Sequence, residues 1–192
     1  MQKFYYKEIK DLTALLQALT AVAEKYNNRD ADVSASLLQW LATGIKFYKD
    51  GGKAEKESRL QLLKAEMVTA LRNINPITFE KINLHRQELH ATIAFKIVQA
   101  AEAQLRFEIT ALQENIQAAS DLATQVIVAG LQAGIITDDL IKNAKKQTDL
   151  EALWALLSAD GNIALWQKRI LLTVSIYDVW ILLDEVLSRL RN

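Results

Sequence analysis

The stretch Leu105-Arg106-Phe107-Glu108-Ile109-Thr110-Ala111-Leu112-Gln113-Glu114-Asn115-Ile116-Gln117-Ala118-Ala119 decides the fold class. Leu105, Ile109, Leu112, Ile116 and Ala119 recur at steps of four and three, which puts them on one face of an α-helix. The step is also heptad-like, the pattern of a seam between helices. Upstream, no Gly or Pro intervenes back to Asn75-Pro76. Asn is a good N-cap, and Pro is favoured at the first helical position, where its missing N–H has no partner to lose. The reading is therefore one helix from Pro76 to near Ala119, on the order of 65 Å long. A helix of that length must project, pair with a partner, or break near Ser120.

Toward the N-terminus the same periodicity continues. Leu12, Leu15, Leu16, Leu19, Val22, Ala23 and Tyr26 predict an amphipathic helix over about 7–26, ended by Asn27-Asn28-Arg29-Asp30. Lys3, Lys7 and Lys10 before this run, and Ala21-Val22-Ala23 within it, have the outline of a secretory signal. Glu8, Asp11 and Gln17 oppose that outline, so the segment is read as a mature helix and the protein as cytoplasmic. A second helix starts near Asp32, with Val33, Leu37, Leu41, Ile45 and Tyr48 along one side, and ends at Asp50-Gly51-Gly52. A third covers about 53–73 on a seam of Leu60, Leu63, Met67, Leu71 and Ile74.

Toward the C-terminus, Leu122 to Ile136 is mostly apolar and contains Gly130-Leu131-Gln132-Ala133-Gly134. Small residues four apart allow close helix packing, and Gly134 suits the residue just past a helix end. Thr137 is placed as the cap of a short helix to Lys146, and Thr148-Asp149-Leu150-Glu151 as a capping box opening the next. After the turn Asp160-Gly161-Asn162, with Asn162 as the expected cap, a last helix over about 163–191 is apolar on most of its circumference. Its polar stripe is narrow: Lys168, Ser175, Asp178, Glu185 and Arg189. Such a helix belongs at the centre of a bundle. The expected fold is all-α: a single-domain bundle over residues 1–192, of six to seven helices, with a possible change of substructure near 120.

Composition bounds the chemistry. The 192 residues are 51% hydrophobic, with 6 Gly, 1 Pro and no Cys, which excludes disorder, a disulfide scaffold and any thiolate site. Lys plus Arg and Asp plus Glu are both 23, so a basic nucleic-acid surface is not expected. His85 and His90 stand five apart, about 140° around a helix, and cannot share a metal from one face. Neither HExxH nor a Glu three residues before either His is present. No phosphate loop, nucleophile elbow or metal-ligand spacing occurs. Lys46, Lys49, Lys53, Lys56, Arg59 and Lys64 form a modest basic run with Asp50, Glu55 and Glu57 among them, read as a salt-bridged face. Trp166 and Trp180, fourteen apart, share a face if one helix carries both.

No cofactor, metal or catalytic constellation is therefore expected. The leading expectation is a non-enzymatic interaction or adaptor protein that binds a protein partner or itself through Leu105, Ile109, Leu112 and Ile116, with Gly130 and Gly134 at a close helix contact. Two alternatives stand beside it. One is a membrane-associated protein using the apolar stretches. The other is a bundle that carries a ligand, or acts as an enzyme, in an internal cavity.

Overall fold

The structure is a computed structural model and describes residues 4–82 and 86–191. Among these the fold is all-α, with eight helices: α1 (Tyr5–Asn27), α2 (Val33–Asp50), α3 (Ala54–Leu71), α4 (Arg86–Gln132), α5 (Asp138–Asn143), α6 (Gln147–Leu157), α7 (Gly161–Thr173) and α8 (Ile176–Arg191). The chain divides into two compact units. One is Asp11–Glu108; the other joins residues 4–10 to 109–191. Their boundaries lie inside α1 and inside α4.

In the Asp11–Glu108 unit the periodic apolar residues meet as the sequence implies. Leu12, Leu15 and Leu19 of α1, Leu37, Leu41 and Tyr48 of α2, Leu60 and Met67 of α3, and Ile97 and Leu105 of α4 are all buried. The Trp40 indole donates to the Leu15 carbonyl at 2.9 Å, which satisfies the one polar atom of a buried indole. α2 and α3 pack closely. A Cβ on Gly44 would come within 2.7 Å of the Leu60 side chain, so glycine sets their approach.

In the other unit α8 packs against α5, α6 and α7. It contributes Val179, Leu182, Leu183, Val186 and Leu187 to a core shared with Val126, Ile127, Ile136, Leu153, Leu157 and Ile170. Arg191, at the end of α8, donates to the Ile141 and Ala144 carbonyls at the end of α5. These otherwise unpaired helix-end acceptors thereby receive a charged donor.

Helix ends account for most of the differences from the sequence reading. The helix placed from Pro76 begins instead at Arg86. Asn75 does cap locally, its Oδ1 accepting from the Ile77 and Thr78 N–H groups at 2.9 and 3.4 Å. The turn does not propagate, because Phe79 is left-handed (φ 60°) and the chain closes on itself through the Ile74–Lys81 bridge. At its other end α4 passes Ser120 without a break and stops at Gln132. There the Gly134 N–H donates to Leu131 O at 3.0 Å and the Ile135 N–H to Gly130 O at 2.9 Å, with Gly134 at φ 68°. This is the Schellman closure. It recurs after α1, α2 and α3 with Arg29, Gly52 and Asn73 in the left-handed position.

The helix expected over 163–191 is two helices, divided at the extended Val174. Trp166 and Trp180 therefore lie on different helices, and Trp180 instead meets Trp154 edge-on at 6.3 Å. Thr137 caps α5 as expected. Asp160, not Asn162, caps α7, accepting from the Asn162 and Ile163 N–H groups. α6 starts two residues earlier than expected, with Lys146 and not Thr148 at the N-cap and Asp149 in the place expected of Glu151. Asp149 accepts from the Lys145 and Lys146 N–H groups, and those bonds hold its carboxyl below the usual range.

A Cβ on Gly130 would collide with Leu157 and press on Ile136, whereas one on Gly161 meets open space. Gly130→Ala is expected to cost about 1–3 kcal/mol, and Gly134→Ala about 1 kcal/mol through its left-handed backbone. Gly161→Ala should stay within about 0.5 kcal/mol of the parent. Urea unfolding of the three variants checks the ranking.

Candidate functional site

Two charged side chains are buried among the described residues, Glu108 and Asp178, one in each unit. Burial of a charge is costly unless donors surround it, so each marks a place where the fold concentrates polar contacts. Asp178 is fully buried. Its Oδ2 accepts from the Ser175 hydroxyl at 2.6 Å, the Ser175 N–H at 3.0 Å and the Tyr5 N–H at 3.2 Å, and its Oδ1 from the Tyr6 N–H at 3.1 Å. The Ser175 hydroxyl in turn accepts from the Asp178 N–H at 3.2 Å. Ser175-Ile176-Tyr177-Asp178 is thus a capping box. Its carboxylate also receives the first N–H groups of α1, where a negative charge is favoured by the helix dipole. The Tyr6 hydroxyl donates to Glu185 at 2.8 Å. Burial, then this bond and the nearby carboxylates, hold the Tyr6 phenol well above its ordinary value of 10.0.

Glu108, near the end of the Asp11–Glu108 unit, accepts from the Tyr48 hydroxyl at 2.8 Å and from the Gln104 amide at 3.4 Å. Lys53 and Lys56 reach it at 3.4 and 3.3 Å. The Lys53 ammonium also lies over the Phe47 and Tyr48 rings at 5.9 and 5.5 Å. Lys46 pairs with Asp50 at 2.5 Å. Much of the basic run is therefore spent on internal or neighbouring carboxylates. Both oxygens of Glu108 already face donors, an arrangement that holds α2, α3 and α4 together rather than one open to a reacting group.

His90 is half-buried, and its shielded Nε2 has no hydrogen-bond partner. His85 lies outside the described residues. Among the described residues no cluster of three or more His, Asp or Glu could hold a metal, and no helix is long and apolar enough to cross a membrane.

The expected partner-binding seam is not an exposed stripe. Leu105 is buried in the core of the Asp11–Glu108 unit, Ile109 and Leu112 are half-buried, and Ile116, in the unit that holds residues 109–191, packs on that unit's own core. The exposed apolar side chains lie elsewhere. Leu140 and Leu156 stand at the mouth of a hollow of about 260 Å³ between α5 and α6, lined also by Asn143, Ala144, Asp149 and Leu153.

A more unusual surface is on α7. This helix buries Ile163, Gln167 and Ile170 and turns Leu165, Trp166, Lys168, Arg169 and Leu172 outward. Gln167 sits inside because its amide donates to the Trp154 carbonyl at 2.9 Å and accepts from the Ser158 hydroxyl at 2.7 Å, closing the end of α6. Leu165 and Leu172 are 62% and 88% exposed. Seven residues apart, they point within about 20° of each other. Sequence reading missed this face because the run from Ile163 was apolar all round, and nothing in it distinguished the leucines that pack from those that do not. The signal that was present is the seven-residue leucine spacing with two cations between.

No protein-family model, curated protein or solved structure matches this chain.

Asp178→Ala removes the acceptor for two helix starts and is expected to cost about 2–4 kcal/mol, read as a lower urea midpoint. A separate contribution comes from Tyr6: the folded state keeps a phenol proton that the unfolded chain releases near pH 10.0, so the stability Tyr6 adds is complete below that pH and falls as pH rises above it. Tyr6→Phe should flatten the alkaline limb of the stability–pH curve, and an unchanged limb would remove Tyr6 from it.

Proposed function

We propose that this chain is a non-enzymatic helical interaction protein that docks a partner protein on the outward face of α7. The observation that carries this reading is that α7 has a second apolar face: beyond the buried Ile163 and Ile170, it leaves Leu165 and Leu172 in solvent. Helices of globular proteins turn their apolar stripe inward. Here the polar residue has a specific internal duty, while the exposed leucines have none. Covering them on a partner removes apolar surface from water, worth about 1.5–3 kcal/mol for each leucine fully buried. The engaged state of Glu108 and Asp178 supports the non-enzymatic part of the reading, since the buried carboxylates serve packing and helix ends.

Leu165→Asp with Leu172→Asp is expected to abolish capture of the partner by tagged full-length chain from its native cells. Helix content and the unfolding midpoint should stay near the parent, because exposed positions change stability by about 0.5 kcal/mol or less. Capture of the same partner set by parent and double variant would refute the assignment of this face.

A further inference from the structure

The charges on the same face point to the chemistry of its partner. Lys168 and Arg169 lie between Leu165 and Leu172 in sequence and within about 60° of them around the helix. α7 contains no acidic residue, and neither cation takes part in an ion pair among the described residues. The α7 pair is a positive charge at an exposed apolar stripe, on a helix that supplies no carboxylate of its own.

We propose that this face takes an acidic amphipathic helix of a partner protein, with its leucine-type stripe along Leu165 and Leu172 and its carboxylates beside Lys168 and Arg169. The proposal rests on the reading of α7 as the docking face. A seven-residue leucine repeat flanked by like charges is the pattern of a helix–helix seam, in which flanking charges select the partner. An anionic lipid surface fits less well, because basic clusters that hold such surfaces use about four to eight cations, and α7 offers two.

The full-length chain is tested against a display library of helical peptides with a fixed leucine heptad and Glu or Lys at the flanking positions. Glu is expected to be enriched about tenfold over Lys, with binding weakened by added salt. The Lys168→Glu, Arg169→Glu variant should reverse the preference. Lys168→Gln with Arg169→Gln, a milder change, should erase it should the reversed variant fail to fold. Equal enrichment of Glu and Lys by the parent would overturn the acidic partner while leaving α7 as a docking face. No enrichment above the Leu165→Asp, Leu172→Asp variant would overturn the docking reading itself. Cosedimentation with phosphatidylserine-containing vesicles, in the absence of peptide binding, would replace the partner helix with lipid and overturn both.

Discussion

A single buried carboxylate governs the unit formed by residues 4–10 and 109–191. Asp178 accepts the opening N–H groups of α1 and, with Ser175, closes the start of α8. Helix starts leave N–H groups without intrahelical partners, and burying them bare is costly. One side chain answers that need for two helices 170 or more residues apart in sequence, as the 172- and 173-residue spans of its bonds to α1 show. The placement of α8 follows. Once its first turn is fixed, Val179, Leu182, Leu183, Val186 and Leu187 fall into the shared core, and Arg191 reaches the end of α5. The break after Thr173 goes with it: an N-cap residue is itself non-helical, so a helix with its N-cap at Ser175 cannot continue α7, and Val174 between them is extended.

Glu108 plays the corresponding part in the Asp11–Glu108 unit. Tyr48 of α2, Lys53 beside α3, Lys56 of α3 and Gln104 of α4 all converge on it. In both units the buried carboxylate joins helices, and the proposed docking function is placed on the surface. That surface carries its clearest signal on α7. There Ile163 and Ile170 enter the core and Gln167 bonds the end of α6, which leaves Leu165 and Leu172 outside. The docking reading and the positive charge of that face share this one rotational setting.

The fold class was legible because helix periodicity is a local property. Leu12, Leu15 and Leu19, or Leu60 and Met67, sit where the 3.6-residue period puts them. Glycine-closed ends were legible too, since Gly52 and Gly134 occupy the left-handed positions that glycine favours. The ends after α1 and α3 fell close to where they were expected, at Asn27-Asn28-Arg29-Asp30 and near Asn73, although no glycine marked the residue that turns left-handed. Arg29 and Asn73 close helices against their own preference for negative φ, and Phe79 ends a turn in the same way. Ser175-Ile176-Tyr177-Asp178 carries the spacing of a capping box, but it lies in so apolar a run that the continuous-helix pattern overrode it. The seam at Leu105, Ile109, Leu112 and Ile116 was read correctly as one helix face, yet periodicity does not say whether a face meets its own chain or another.

The amino-acid sequence alone made this an all-helical chain with no cysteine and a net charge of +0. It did so through composition and period, which need no knowledge of what lies across a contact. The tertiary structure decided which of two apolar faces of α7 is covered, where the last apolar run divides, and that Asp178 serves a helix start at the other end of the sequence. Those outcomes depend on hydrogen-bond donors and packing partners distant in the chain. No local pattern encodes which of several leucines will find a core when more are present than one core face can hold.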